Sequence, residues 1–273
     1  MMVEVLVHFV APALVGVLIG IASGLLGIGG GTVMVPIFRL AFGMSATMST
    51  ATSLFAIIPT SISGAISHVK GKTCIPALGI AAGLGGACLS PVGVWLAQLS
   101  PDWLVMLAAA LIIGYSAINM FKKAFKLRPA GQPAAGVDAA ASSDDSSLSR
   151  KQLLQGAAIG LVAGLASGYV GVGGGFIMVP LMLSIIGIPM RKASGTSLIA
   201  VMILAIPGVI EQGIIGNINY LAGIAIVIGT IPGAVIGARL VTKVPERTLR
   251  LLFGCFLIVA AVMLVLNEVG IFG

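Results

Sequence analysis

Two glycine clusters carry the residue types and spacing that could do chemistry in this sequence. They read Gly27-Ile28-Gly29-Gly30-Gly31 and Gly171-Val172-Gly173-Gly174-Gly175, each between apolar runs and each with a proline five residues on, Pro36 and Pro180. Adjacent glycines cost a helix about 1 kcal/mol each relative to alanine, so each cluster predicts a helix break. A helix restarting after such a break offers unpaired backbone N–H groups at a positive dipole end, which suits an anion. Gly27, Gly29, Gly30, Gly31, Gly171, Gly173, Gly174 and Gly175 are therefore the first candidate substrate-binding residues. One cluster alone would read more simply as close helix packing; two at equivalent places favour binding. Neither is a nucleotide loop, because no Gly-Lys-Ser/Thr or acidic partner follows.

Hydroxyls come next along the chain: Ser45, Thr47, Ser49, Thr50, Thr52, Ser53, Thr60, Ser61 and Ser63 after the first cluster, Ser194, Thr196 and Ser197 after the second. Most suit ordinary interhelical hydrogen bonds. The matched pairs Thr52-Ser53 and Thr196-Ser197 are placed in the polar cavity, as neutral donors to an oxyanion. Ionisable groups inside the apolar runs are scarce. Glu211, beside Gln212, and Arg39 are the gating or coupling candidates, and an ionisable residue in a membrane segment is functional by default. His68, the near counterpart of Glu211, reads as a boundary histidine. Asp102 and Glu246 fall at segment ends. Cys74, Cys88 and Cys255 form no metal or redox spacing, and there is no Ser/His/Asp set or HExxH. The expectation is a non-enzyme without metal or cofactor.

The elements that hold these residues must lie in lipid. Of 273 residues 58% are apolar and 8% charged, with 38 glycines, and the mean hydropathy is +1.15; a soluble domain carries about 25% charge. Apolar stretches run 5–26, 28–42, 44–69, 74–99 and 103–121, then 153–170, 172–186, 190–213, 217–241 and 249–266. At about 20 residues per crossing this predicts an all-α polytopic membrane protein with about eight full spans. The two stretches after the glycine clusters are short and read as broken or re-entrant segments. Residues 122–151 hold RPAGQPAAG and SSDDSS, a composition that predicts a disordered linker, here cytoplasmic. It separates a first transmembrane repeat, 1–121, from a second, 152–273. A net charge of +7 reflects anchoring at membrane boundaries; nucleic acid is not an expected partner, whereas the bilayer and a small anion are. A homo-oligomer is left open.

The halves are one sequence written twice at an offset of 144. Nine of fourteen positions agree between Ser23–Pro36 and Ser167–Pro180, and Thr52-Ser53-Leu54 returns as Thr196-Ser197-Leu198, Gly64 as Gly208 and Gly93 as Gly237. Charge placement orients them. If the chain merely kinks at each cluster, the 15 cations divide eight to seven across the membrane. If it reverses there, giving five segments per half, they divide 14 to 1 with Arg39 alone outside. The positive-inside rule selects the second topology. An odd number per half inverts the repeats and puts both termini outside. Inverted repeats with broken helices are a mark of secondary transporters. Re-entrant hairpins and short spans share this parity.

The blocks GLLGIGGGTVMVP and GYVGVGGGFIMVP, the repeated Thr-Ser-Leu and the central basic linker resemble the TauE/SafE family of sulfite exporters over nearly the whole chain outside the linker. The resemblance implies a multi-pass bacterial inner-membrane protein that moves sulfite, sulfonates or related organosulfur anions, commonly outward. It supplies no site residues. An anion channel, an importer of the same substrates and a non-transporting membrane assembly are the alternatives.

Overall fold

The computed structural model describes residues 11–126 and 149–268. Among them every element is helical: α1 (Ala11–Leu26), α2 (Gly31–Phe42), α3 (Ala46–Lys70), α4 (Pro76–Leu99), α5 (Asp102–Lys126), α6 (Arg150–Val170), α7 (Gly175–Leu181) with a π-helical continuation Met182–Ile186, α8 (Met190–Ile215), α9 (Tyr220–Leu240) and α10 (Glu246–Glu268). Seven are long and apolar enough to cross a membrane. α1, with 16 described residues, is the repeat mate of the full-length α6. The start of each helix from α2 to α5 recurs 144 residues later, so the duplication seen in sequence is one of structure, five helices per half. Helix extends into the segment read as linker, over Lys122–Lys126 and Arg150–Lys151; residues 127–148, with the predicted disorder, lie outside the described residues.

Contacts between the halves come in pairs related by exchange of 144. A Cβ on Gly64 would meet Leu198, and one on Gly208 would meet Leu54. Residue numbers rise along α3 as they fall along α8, so these two repeat mates cross antiparallel. The repeats are therefore inverted, as the charge count required. The same exchange relates the backbone N–H of Ile75 donating to Thr196 Oγ1 at 2.9 Å and that of Asn219 donating to Thr52 Oγ1 at 3.0 Å.

The halves are interlocked through glycine. α4 packs along α6, and α9 along α1, more extensively than any other helix pairs. At Gly16, Gly20 and Gly24 of α1 a Cβ would fall on the carbonyls of Ile226, Thr230 and Ala234; at Gly160, Gly164 and Gly168 of α6 it would fall on those of Ala82, Gly86 and Ser90. Glycine at i, i+4 and i+8 lays one face of a helix bare, so backbones touch where lipid offers no hydrophobic drive for association. The sequence carried this spacing, although it was the triple glycines that stood out there.

Helix direction sorts the charges. Arg191 at the start of α8 donates to the Val244 carbonyl at 3.0 Å, Lys70 and Arg239 line one groove, and α5 ends and α6 begins at the same end. Every described lysine and arginine except Arg39 falls at that end. The opposite end carries the exposed indoles Trp95 and Trp103, residues suited to an interface. The N-termini of α3 and α8 are held by acids, Asp102 accepting from the Ala46 N–H at 3.2 Å and Glu246 from the Met190 N–H at 3.3 Å.

Valine at Gly16 or Gly160 should therefore destabilise the folded protein about equally, by roughly 1–3 kcal/mol, read as a lowered Tm in detergent. Gly114, whose Cβ would meet nothing within 4 Å, should gain up to about 1 kcal/mol on replacement with alanine. In a variant lacking the native cysteines, Lys72→Cys and Lys243→Cys should react with an impermeant thiol reagent from one face of a vesicle, and Pro101→Cys from the other.

Candidate functional site

At each glycine cluster the helix stops because its glycines adopt left-handed backbone that other residues resist. Gly27, Gly29 and Gly30 have φ of 76°, 81° and 86°, and Gly171, Gly173 and Gly174 have 72°, 88° and 64°. The helices that restart cover twelve residues each, Gly31–Phe42 and Gly175–Ile186, about 18 Å at 1.5 Å per residue. That is roughly half of a 30 Å hydrocarbon core, so both are half-helices. Pro36 and Pro180 lie inside them.

The two breaks touch. A Cβ on Gly31 would fall on the Val172 carbonyl, and one on Gly175 on the carbonyl of Gly27 and on Ile28. Each break also meets the opposite repeat: Gly27 lies against Ser194, and Gly171 against Thr50. Both clusters are fully buried. Irregular backbone survives at membrane depth only when protein or a cavity encloses it, and here residues of both repeats enclose each break. Val33 and Met34 N–H groups bond to the Gly30 carbonyl, and Ile177 and Met178 to that of Gly174. Among the described residues nothing accepts from the N–H groups of Gly29, Gly30 or Gly31.

Seven buried hydroxyls of the described residues have no hydrogen-bond partner, Ser23, Thr32, Ser49, Ser53, Ser61, Ser90 and Ser167, and three of them, Ser23, Ser61 and Ser167, lie at the breaks. Ser23 and Ser167 are repeat mates on the last turns of α1 and α6, and their Cβ atoms lie 3.6 and 3.4 Å from where Cβ atoms on Gly30 and Gly174 would be. Ser61 Oγ is 3.4 Å from the corresponding point at Gly29. Buried polar groups are almost always paired, yet here hydroxyls without a partner lie beside unpaired backbone N–H groups. Among the described residues no lysine, arginine, aspartate or glutamate is buried, and positive potential at the breaks can come only from backbone dipoles.

The predicted hydroxyl pairs divide. Thr52 and Thr196 are buried as expected, but their oxygens accept the Asn219 and Ile75 N–H groups and fasten the starts of α9 and α4 to the opposite repeat. Ser197 donates to the Gly27 carbonyl at 2.7 Å and bonds the Ser194 carbonyl at 2.9 Å. Only Ser53 has no partner. The Ser23/Ser167 pair escaped sequence reasoning, although it opens the duplicated motif. Arg39 sits in the last turn of α2, and Glu211 near the C-terminus of α8; both are at helix ends away from the breaks. His68 is buried, with Nε2 donating to the Gly24 carbonyl at 2.8 Å and Nδ1 2.7 Å from Thr73 Oγ1. A carbonyl has no proton to give, so the tautomer is fixed at Nε2–H. Its repeat mate Gln212 likewise accepts from Asn217 Nδ2 at 2.8 Å, so both residues pin a helix turn.

With that geometry in hand, the family model for the sulfite exporter TauE/SafE matches residues 12–264. The chain belongs to this family. It is similar to the probable membrane transporter protein YunE of Bacillus subtilis (28% identical, covering 97% of this chain and 99% of the relative). It is also similar to YdhB of the same organism (28%, 87% and 92%) and to a probable membrane transporter protein of Haemophilus influenzae (29%, 93% and 97%). No solved structure matches. The protein is thus a multi-pass membrane transporter of the TauE/SafE family, a family of transporters and not of enzymes.

The two hydroxyl classes make opposite predictions. Thr196→Val strands the buried Ile75 N–H and should cost about 1–3 kcal/mol of stability, with Thr196→Ser close to wild type. Ser23→Ala and Ser167→Ala remove hydroxyls that bond nothing and should leave the Tm unchanged or raised. Thermal unfolding of the purified variants checks both.

Proposed function

We propose that the protein is a secondary transporter that moves a small sulfur oxyanion, sulfite or a sulfonate, out of the cytoplasm by alternating access. The observation that carries this proposal is the meeting of two inverted helix breaks beside the unpartnered buried hydroxyls of Ser23, Ser61 and Ser167. The N–H groups at Gly29, Gly30 and Gly31, with their counterparts at Gly173 and Gly174, receive the anion's oxygens. Ser23, Ser53, Ser61 and Ser167 donate to the same oxygens. Gly27 and Gly171 hold the breaks in shape. The family's name supplies the substrate class, and neutral donors with dipole ends suit an oxyanion of one or two charges.

The breaks are closed against each other, so loading requires the halves to part on one side or the other. Inversion makes the two partings equivalent motions of opposite repeats. The cation-rich end, with the linker, is cytoplasmic, which leaves both termini outside in the bacterial inner membrane. An inside-negative potential drives anion exit by about 2.3 kcal/mol per charge per 100 mV, so export needs no dedicated carboxylate. Arg39, at the outer end, receives the departing anion. Glu211 stands too far from the breaks to couple through direct contact.

Proteoliposomes loaded with unlabelled sulfite should take up external labelled sulfite transiently against its gradient. Absence of this counterflow alongside passive flux would make the protein a channel, and no flux of any sulfur oxyanion would overturn the site. The Ser23→Ala/Ser167→Ala variant, folded as above, should lose exchange by about tenfold per hydroxyl, in line with hydrogen bonds to a charged partner.

A further inference from the structure

A second site lies away from the breaks. Helices α3 and α9 run side by side in the same direction, joined by Thr60 and Thr230 hydroxyls 2.5 Å apart and by Ser63 Oγ donating to the Ile231 carbonyl at 2.8 Å. Beyond these bonds the helices leave a groove of about 780 Å³, walled by Pro59, Ile62, Ile66, Ile231 and Val235 and ending at Lys70 and Arg239. Ile62, Ile66 and Ile231 are exposed along it, by 39%, 51% and 40%, which in a membrane means exposed to lipid. From Pro59 to Lys70 the helix climbs about 17 Å at 1.5 Å per residue, the depth of one leaflet of a 30 Å core. The groove is thus one leaflet deep, apolar along its length and doubly cationic at the membrane boundary.

The repeat supplies an internal control. At the exchanged positions Lys70 becomes Ile214, Arg239 becomes Trp95 and Ser67 becomes Glu211. The mate of this groove has lost both cations and gained an acid, so the basic character belongs to one face of the membrane only. Symmetry does not require it, and the glycine site does not use it.

We propose that this groove binds an anionic phospholipid of the leaflet at the cation-rich end, with an acyl chain along Ile62, Ile66 and Val235 and the headgroup phosphate between Lys70 and Arg239. Long basic side chains at helix ends reach the headgroup layer with their stems on apolar surface, and each cation near an anionic surface adds binding free energy. The lipid bridges a helix of each repeat, α3 of the first and α9 of the second.

The test is native mass spectrometry of the full-length protein titrated with phosphatidylglycerol, with phosphatidylcholine as the zwitterionic comparison. Wild type should retain one phosphatidylglycerol in preference to phosphatidylcholine. Lys70→Gln/Arg239→Gln should weaken that binding about thirtyfold, the factor two cations carry at an anionic headgroup, while Lys151→Gln, an exposed cation elsewhere, changes nothing. Val235→Trp keeps both charges but fills the groove, and should lose the lipid as well. Undiminished phosphatidylglycerol binding in either groove variant would overturn the proposal. So would displacement of the lipid by inorganic phosphate or sulfite at equal concentration, which would make the cations a site for free anions.

Discussion

Broken backbone inside a membrane must be covered, and this protein is arranged around that requirement. Two loops with six left-handed glycines leave N–H groups, those of Gly29 and Gly30 among them, without a helical partner, and lipid can satisfy none of them. Part of that cover comes from the other half of the chain. Ser194 lies on the break at Gly27, Thr50 on the break at Gly171, and the breaks lie on each other. Each loop is sheltered jointly: Ile19, Ser23 and Met34 of its own repeat lie on Gly30, while Ser194 and Val201 of the other lie on Gly27 and Gly29.

Interlocking extends outward from there by the same logic. The glycine ladders of α1 and α6 bring backbones of opposite repeats into contact, where side chains would have kept them apart. Thr52 and Thr196 each tie the beginning of a helix in the other half. The protein is accordingly two sequences and one core.

The sequence made some features legible because their signals are local or additive. Three glycines together announce a break, a fixed offset announces duplication, and the placement of fifteen cations announces inversion. The roles of Thr52 and Thr196 were hidden because a hydroxyl that caps an N–H and one that lines a cavity look alike, and the deciding partner is 167 or 121 residues away. Ser23 and Ser167 stood in plain view within the repeated motif, but their importance lies in having no partner, a property of the fold. Spacing of four among Gly16, Gly20 and Gly24 was visible too; that it faces α9 and not a neighbour in its own repeat was not.

The halves are not copies at the centre. Where the first repeat places Thr32, Ser49 and Ser61, the second has Phe176, Ala193 and Ala205. For a perfectly symmetric inverted pair, the conformer open to one side would be the image of that open to the other, and the two would have equal energy. Each unmatched hydroxyl lifts that degeneracy. In the proposed alternating-access cycle, the side on which the protein rests is therefore set by the handful of positions at which its two halves differ, and not by the motif they share.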